Sequence, residues 1–177
     1  MQQYKALFLD RDGIINVDHG YVCKIEEFEF TEGIVELLQL FSNQGYLLFI
    51  VTNQSGIGRG YYSQEAFKTL TKWMVTTLQE NGIDIKEVQY CPHTPEENCS
   101  CRKPETGMID AILKKYDIDL AHSWMIGDKQ SDIDLARNAH IASSIAIGDK
   151  VLEHYDYSFR TILECTEYLQ ENKGKIA

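Results

Sequence analysis

Two near-continuous apolar runs, Tyr4 to Leu9 and Tyr46 to Val51, each stop at polar residues, the first at Asp10 and the second at Thr52 and Asn53. Runs of this kind suit strands buried on both faces, as in a parallel sheet. Weaker strands are predicted over 87–91, 123–126 and 141–147. Between the runs the period becomes helical. Ile34, Leu37, Leu38 and Phe41 fall at i, i+3, i+4 and i+7 of a helix over 32–44. Phe67, Leu70, Met74 and Leu78 form a second stripe behind Ser63, a capping residue with Glu65 in the first turn. Ile109, Ile112, Leu113 and Tyr116 make a third, and further helices are predicted over 131–139 and near 160–171. Strands alternating with helices predict an α/β fold with a doubly wound parallel sheet. With 177 residues and no repeat or linker, the chain reads as one domain, 1–177, around a single core.

Three polar motifs sit just past the C-terminal ends of predicted strands: Asp10-Arg11-Asp12-Gly13, Thr52-Asn53-Gln54-Ser55 and Gly127-Asp128-Lys129. That edge is where ligands bind in open α/β sheets. Asp10 and Asp12, two apart in extended chain, can face one site, where a divalent cation would relieve their repulsion. One could then attack phosphorus while the other moves a proton. Thr52 and the glycine-rich turn behind it offer a hydroxyl and free N–H groups to phosphate oxygens. Asp128 offers a hard oxygen ligand for magnesium, with Asp132 supporting its loop. Each motif alone has a plainer explanation: a solvated turn, a glycine-rich connection, or acidic helix capping.

The segment from Cys91 to Cys101 is more specific. It carries Cys91, His93, Cys99 and Cys101 as a Cys-x-His pair, a gap of five residues and a Cys-x-Cys pair. Four nitrogen and sulfur donors fit a closed, structural Zn²⁺ site in a loop over about 91–103. Arg102 and Lys103 follow at once, and a fixed Cys101 would restrict where these cations point. His19 lies near the first motif, whereas His122, His140 and His154 have no partner at ligand spacing. Cys23 and Cys165 read as packing residues.

Charge narrows the partners. The formal net charge is −10, with no Lys/Arg-rich stretch, which argues against nucleic acid. A phosphorylated substrate would therefore need local positive charge from a metal or placed basic residues. No apolar run approaches the roughly 20 residues that span a bilayer, and the N-terminal run is too short for a signal-peptide core. The expectation is a cytoplasmic monomer, away from membranes, with its cysteines reduced.

Together, Phe8 to Ile14, Asn16 to Tyr21, Thr52 to Ile57, Cys91 to His93, Cys99 to Pro104 and Gly127 to Lys129 resemble the haloacid dehalogenase superfamily of phosphotransferases. Within it the loops look like those of the heptose bisphosphate phosphatases. The histidinol-phosphate phosphatases share the fold and a similar zinc loop, and are the alternative. The resemblance implies Asp10 as nucleophile, Asp12 as acid and base, and Thr52 and Lys103 as phosphoryl stabilisers. It implies Mg²⁺ held by the carboxylates of Asp10 and Asp128 and the backbone carbonyl of Asp12. Substrate contacts are expected from Asp18, His19, Gly20, Tyr21, Asn53, Gln54, Ser55, Arg102 and Lys129. Ile14 departs from the family pattern, which has Thr there. The spans 11–51 and 53–102 are too short for a large cap domain, so the site is expected to be open.

Overall fold

The computed structural model describes residues 2–172. Six strands form one parallel sheet: β1 (Ala6–Leu9), β2 (Leu47–Asn53), β3 (Ile85–Cys91), β4 (Trp124–Gly127), β5 (Ser143–Ile147) and β6 (Tyr157–Phe159). Their order across the sheet is β3-β2-β1-β4-β5-β6. The chain thus leaves β1 toward one edge and returns to β1's other side for β4. The crevice between the C-terminal ends of β1 and β4 is the switch point of the sheet.

Alternation along the central strands builds two cores. Leu7 and Leu9 of β1 join Leu48 and Ile50 of β2 on one face, under α1 (Ile34–Asn43), α3 (Gln64–Glu80), which follows the one-turn α2 (Ser55–Gly58), and α6 (Ile162–Glu171). Ala6 and Phe8 join Phe49, Val51 and Met125 on the other, under α4 (Gly107–Leu113) and α5 (Gln130–Asn138). Because both faces are covered, β1 is fully buried, which explains its unbroken apolar run. The predicted stripe of α1 is its buried face. Ser63 caps α3 as expected, its side chain accepting from Ala66 N.

Differences from the sequence reading fall at the sheet edges. β6 was not predicted; only three residues long and nowhere fully buried, it carries no strong pattern. β3 begins at Ile85, two residues before the expected start, and is largely half-exposed. Tyr116 lies beyond α4 and packs its ring on Phe49, with centroids 5.0 Å apart. Among the described residues, the β1–β2 connection holds α1 and one 3₁₀ turn, and the β3–β4 connection holds α4 and two. Neither connection, among the described residues, contains a further strand or a second α-helix.

Candidate active site

Asp10 leaves β1 with 3% of its surface exposed. Its Oδ1 accepts from Arg11 N at 2.8 Å and from Lys103 Nζ at 2.9 Å, while Lys129 Nζ stands 3.9 Å from Oδ2. Burial alone would raise its pKa, but Lys103 and Lys129 outweigh burial and hold it below the ordinary carboxylate value. Lys103 is equally enclosed. Its three protons go to Asp10 Oδ1, Asp132 Oδ1 at 2.7 Å and Val51 O at 2.9 Å. Burial pulls that ammonium down, yet Asp10 and Asp132 prevail and raise its pKa, so it stays charged.

Asp12 is pinned on both oxygens. Oδ1 accepts from Arg11 Nη2 at 2.7 Å and Asn16 Nδ2 at 3.0 Å, and Oδ2 from Gln54 Nε2 at 3.1 Å. Arg11, only 1% exposed, also donates to Val22 O at 2.7 Å. Its guanidinium lies about 6 Å from the rings of Phe28 and Phe67.

Gly13 brings the first and last motifs together. It has φ +89°, and a Cβ there would lie 2.2 Å from Asp128 Oδ2. Only glycine lets that carboxylate press against the loop. Burial first, then repulsion from Asp10, pushes the Asp128 pKa up to about 7. Its Oδ1 is buried without a hydrogen-bond partner. Single oxygens of Asp10, Asp128 and Asp132 lie within 4.8 Å of one another. A carboxylate whose buried Oδ1 makes no hydrogen bond, with only Lys129 Nζ 3.6 Å away, and which Asp10 repels, is the donor chemistry of a divalent-cation site, so Asp10 and Asp128 fit Mg²⁺. Asp132 does not have free oxygens to offer. Oδ1 is held by Lys103, and Oδ2 accepts from the N–H groups of Asp128 and Lys129. It positions both the cation and the metal loop.

The cysteine loop meets the metal test on distance. Cys91 Sγ is 3.4 Å from both His93 Nδ1 and Cys99 Sγ. His93 Nδ1 is 3.2 Å from Cys101 Sγ, which is 3.6 Å from Cys99 Sγ. A tetrahedron with bonds of ~2.0–2.3 Å has edges of ~3.3–3.8 Å, close to the observed 3.2–3.6 Å, so the four donors fit Zn²⁺. The loop is tied to the sheet by Asn53. Its Oδ1 accepts from Lys103 N at 2.9 Å, and its Nδ2 donates to Lys103 O at 3.3 Å. The base of the loop is bound as well: Gln54 N donates to Cys91 O and Gly58 N to Pro92 O. Cysteine loop, β2 turn and lysine form one unit.

A cavity of about 360 Å³ opens over these groups. It is lined by Asp10, Asp12, Asp18, Gly20 and Tyr21, by Asn53, Gln54 and Ser55, and by Arg102, Lys103 and Lys129. Three expected residues stand elsewhere. Thr52 is fully buried behind the lining, its hydroxyl accepting from Gln54 at 2.8 Å. Asp128 borders a neighbouring cavity with Gly13 and Arg160. His19 turns outward to Glu29 at 2.9 Å and borders a separate acidic hollow. Arg102 lines the cavity with its Nη1 3.5 Å from His93 O. Sequence reasoning missed Tyr62 and Ser131 in the lining, and Arg11 beneath it. A cation between two aspartates in an apolar context was a signal for Arg11; Tyr62 carried none.

Residues 100–148 match the HAD-hydrolase-like family. A D-glycero-beta-D-manno-heptose-1,7-bisphosphate 7-phosphatase from Haemophilus ducreyi is 45% identical over 150 residues, covering 81% of this chain and 82% of its own. A D-glycero-alpha-D-manno-heptose-1,7-bisphosphate 7-phosphatase from Campylobacter jejuni is 43% identical over 168 residues, 94% and 96% of the two chains. The chain belongs to the heptose 1,7-bisphosphate 7-phosphatase family. In fold it matches the D,D-heptose 1,7-bisphosphate phosphatase from B. bronchiseptica complexed with magnesium and phosphate. That match has a TM-score of 0.81 at 24% identity, over 95% of this chain and 99% of the other. These relatives support the heptose side of the sequence reading and give no support to histidinol phosphate. Membership in the heptose bisphosphate phosphatase family also puts Ile14 in context. Where the family pattern expects a hydroxyl, this member buries an apolar side chain completely in the core cluster shared with α1 and α6.

Proposed function

We propose that this chain is a Mg²⁺-dependent, Zn²⁺-stabilised phosphatase that removes the C7 phosphate of D-glycero-D-manno-heptose 1,7-bisphosphate. The products are heptose 1-phosphate and inorganic phosphate, in nucleotide-activated heptose biosynthesis. The observation that carries this reading is the ionised Asp10 at the cavity floor, held by Lys103 and flanked by a pinned Asp12. It is supported by relatives above 40% identity that bear the same enzyme name.

In the first step an Asp10 carboxylate oxygen attacks phosphorus, and the bond from phosphorus to the C7 oxygen breaks. Asp12 gives that oxygen its proton, and an aspartyl-phosphate remains. In the second step Asp12 takes a proton from water as the water oxygen attacks phosphorus. The bond to Asp10 then breaks and phosphate leaves. Mg²⁺ held by Asp10, Asp128 and the Asp12 carbonyl would neutralise charge on the phosphoryl oxygens. Lys103 adds fixed positive charge, Lys129 closes the same side, and Thr52 backs the turn that receives the phosphoryl group. Asp18, Gly20, Tyr21, Asn53, Ser55 and Arg102 form walls suited to a bulky polar ester, with His19 at the outer edge. Because the site is uncapped, these short loops carry the specificity. The reduced cysteines of the zinc loop suit the cytoplasm, and we take the active unit to be a monomer with no nucleic-acid partner.

The test is phosphate release from both anomers of the heptose bisphosphate, with histidinol phosphate in parallel and with or without Mg²⁺. The expected result is Mg²⁺-dependent turnover at least about 10-fold faster on a heptose bisphosphate, lost by more than about 10³-fold in Asp10→Asn. Preference for histidinol phosphate would overturn the substrate. Retained turnover in Asp10→Asn would overturn the mechanism.

A further inference from the structure

Asp12 must both give and take a proton, so its carboxyl group has to be held in place through both protonation states. On one side Arg11 and Asn16 grip Oδ1. On the other, Gln54 Nε2 donates to Asp12 Oδ2 at 3.1 Å and to Thr52 Oγ1 at 2.8 Å. A carboxylate can only accept, so the amide must turn its nitrogen toward Asp12 and its oxygen away. That oxygen is received by Tyr62, whose hydroxyl donates to Gln54 Oε1 at 2.5 Å. Tyr62, Gln54, Asp12 and Thr52 are therefore one directional chain of hydrogen bonds, reaching from the cavity wall to the Asp12 carboxylate and the buried Thr52 hydroxyl.

The turn after β2 is built to admit the Tyr62 ring. A Cβ at Gly56 would lie 2.2 Å from Tyr62 Cε1 and 2.9 Å from Tyr21 Cδ1. Nothing larger than glycine leaves the ring where its hydroxyl meets Gln54. Burial pushes the Tyr62 hydroxyl up to about 12, so it remains a donor through the neutral range. Gln54 is only 2% exposed, and its amide is occupied by protein groups at both ends. It is better placed to hold Asp12 than to bind substrate.

We propose that Tyr62 is a positioning residue for proton transfer: by anchoring Gln54 Oε1 it keeps the amide nitrogen on Asp12 and Thr52, and so keeps Asp12 aimed at the leaving oxygen. The inference rests on the phosphatase reading above. Its signature is dependence on the leaving group. A sugar alkoxide needs the Asp12 proton to depart, whereas a nitrophenolate leaves without one.

The experiment is single-turnover product release from heptose 1,7-bisphosphate and from p-nitrophenyl phosphate, with saturating Mg²⁺, for wild type, Tyr62→Phe, Gln54→Ala and the double variant. Tyr62→Phe is expected to slow release of heptose 1-phosphate about 10-fold, at an unchanged half-saturating concentration, and to leave nitrophenol release within about 2-fold of wild type. The double variant is expected to be no slower than Gln54→Ala alone, because Tyr62 acts through that amide. Equal slowing of both esters, or a raised half-saturating concentration at an unchanged rate, would assign Tyr62 a structural or substrate-binding role and overturn the inference. Additive losses in the double variant would overturn it too. A wild type that releases phosphate from neither ester would remove the phosphatase reading itself, and this inference with it.

Discussion

Asp10, Asp128 and Asp132 crowd together beside the buried Lys103, with the exposed Lys129 at their rim, and the balance there is uneven. Asp10 is held below its ordinary pKa, whereas burial and Asp10's charge raise Asp128 to about 7. A carboxyl whose folded pKa exceeds its unfolded value binds its proton more tightly when folded. Its contribution favours folding at low pH and is lost as pH rises toward 7. In metal-stripped protein, Asp128→Asn is therefore expected to raise the unfolding free energy at pH 8 by about 2–4 kcal/mol while abolishing Mg²⁺-dependent turnover. The gain should vanish near pH 4. Urea titrations at the two pH values check this, and an equal effect at both would rule out the electrostatic cause. Arg11 works in the opposite sense. Arg11→Met would take the guanidinium from the Val22 carbonyl and leave Asp12 Oδ1 with Asn16 as its one remaining side-chain donor. A loss of about 2–4 kcal/mol is expected in the same titrations, and a loss under about 1 kcal/mol would mean water replaces the guanidinium at little cost.

At the scale of elements, the site is assembled from four loops bound by specific contacts. Asn53, expected to touch substrate, clamps both sides of the Lys103 peptide to the end of β2. The cysteine loop thereby delivers the lysine that neutralises Asp10. Cys99→Ser, or treatment with a strong zinc chelator, is expected to lower the melting temperature by several degrees and cut turnover by at least about 10-fold together. Metal analysis, differential scanning calorimetry and phosphate release check the link. A zinc-free protein with wild-type turnover would show that Asn53 alone suffices to hold Lys103. The loop's ligand spacing was legible along the chain. The clamp was not, since Asn53 and Lys103 lie 50 residues apart and neither has a local pattern that names the other.

Across the whole molecule, protection follows burial. β1 is fully buried and β4 nearly so, at the middle of the sheet, whereas β6 is a short edge strand. Hydrogen exchange is expected to be slowest at Ala6–Leu9, Leu48–Val51 and Met125–Gly127, and at least about 10²-fold faster at Tyr157–Phe159. Exchange read out by mass spectrometry checks this; equal protection at β6 would mean the edge opens only with the whole fold. The same central placement holds Asp10 and Asp128 close. Their strands are direct neighbours, with Leu9 of β1 beside Ile126 of β4.

The candidate Mg²⁺ donor set came from the family resemblance, whereas period and spacing were enough to determine the α/β class, most of the elements, the edge on which the chemistry lies and the candidate cysteine-histidine donor set. These are local properties: a residue's neighbours along the chain decide whether it is buried, capped or paired at ligand spacing. Only the folded chain decided which polar groups hold which. It set Asp132 on Lys103, Arg11 on Asp12, Tyr62 on Gln54 and His19 out toward Glu29. Those pairings, apart from Arg11 with Asp12, join separate turns or elements. A side chain's direction at such a junction depends on packing from both sides of the crevice, which the order of residues along one strand does not contain.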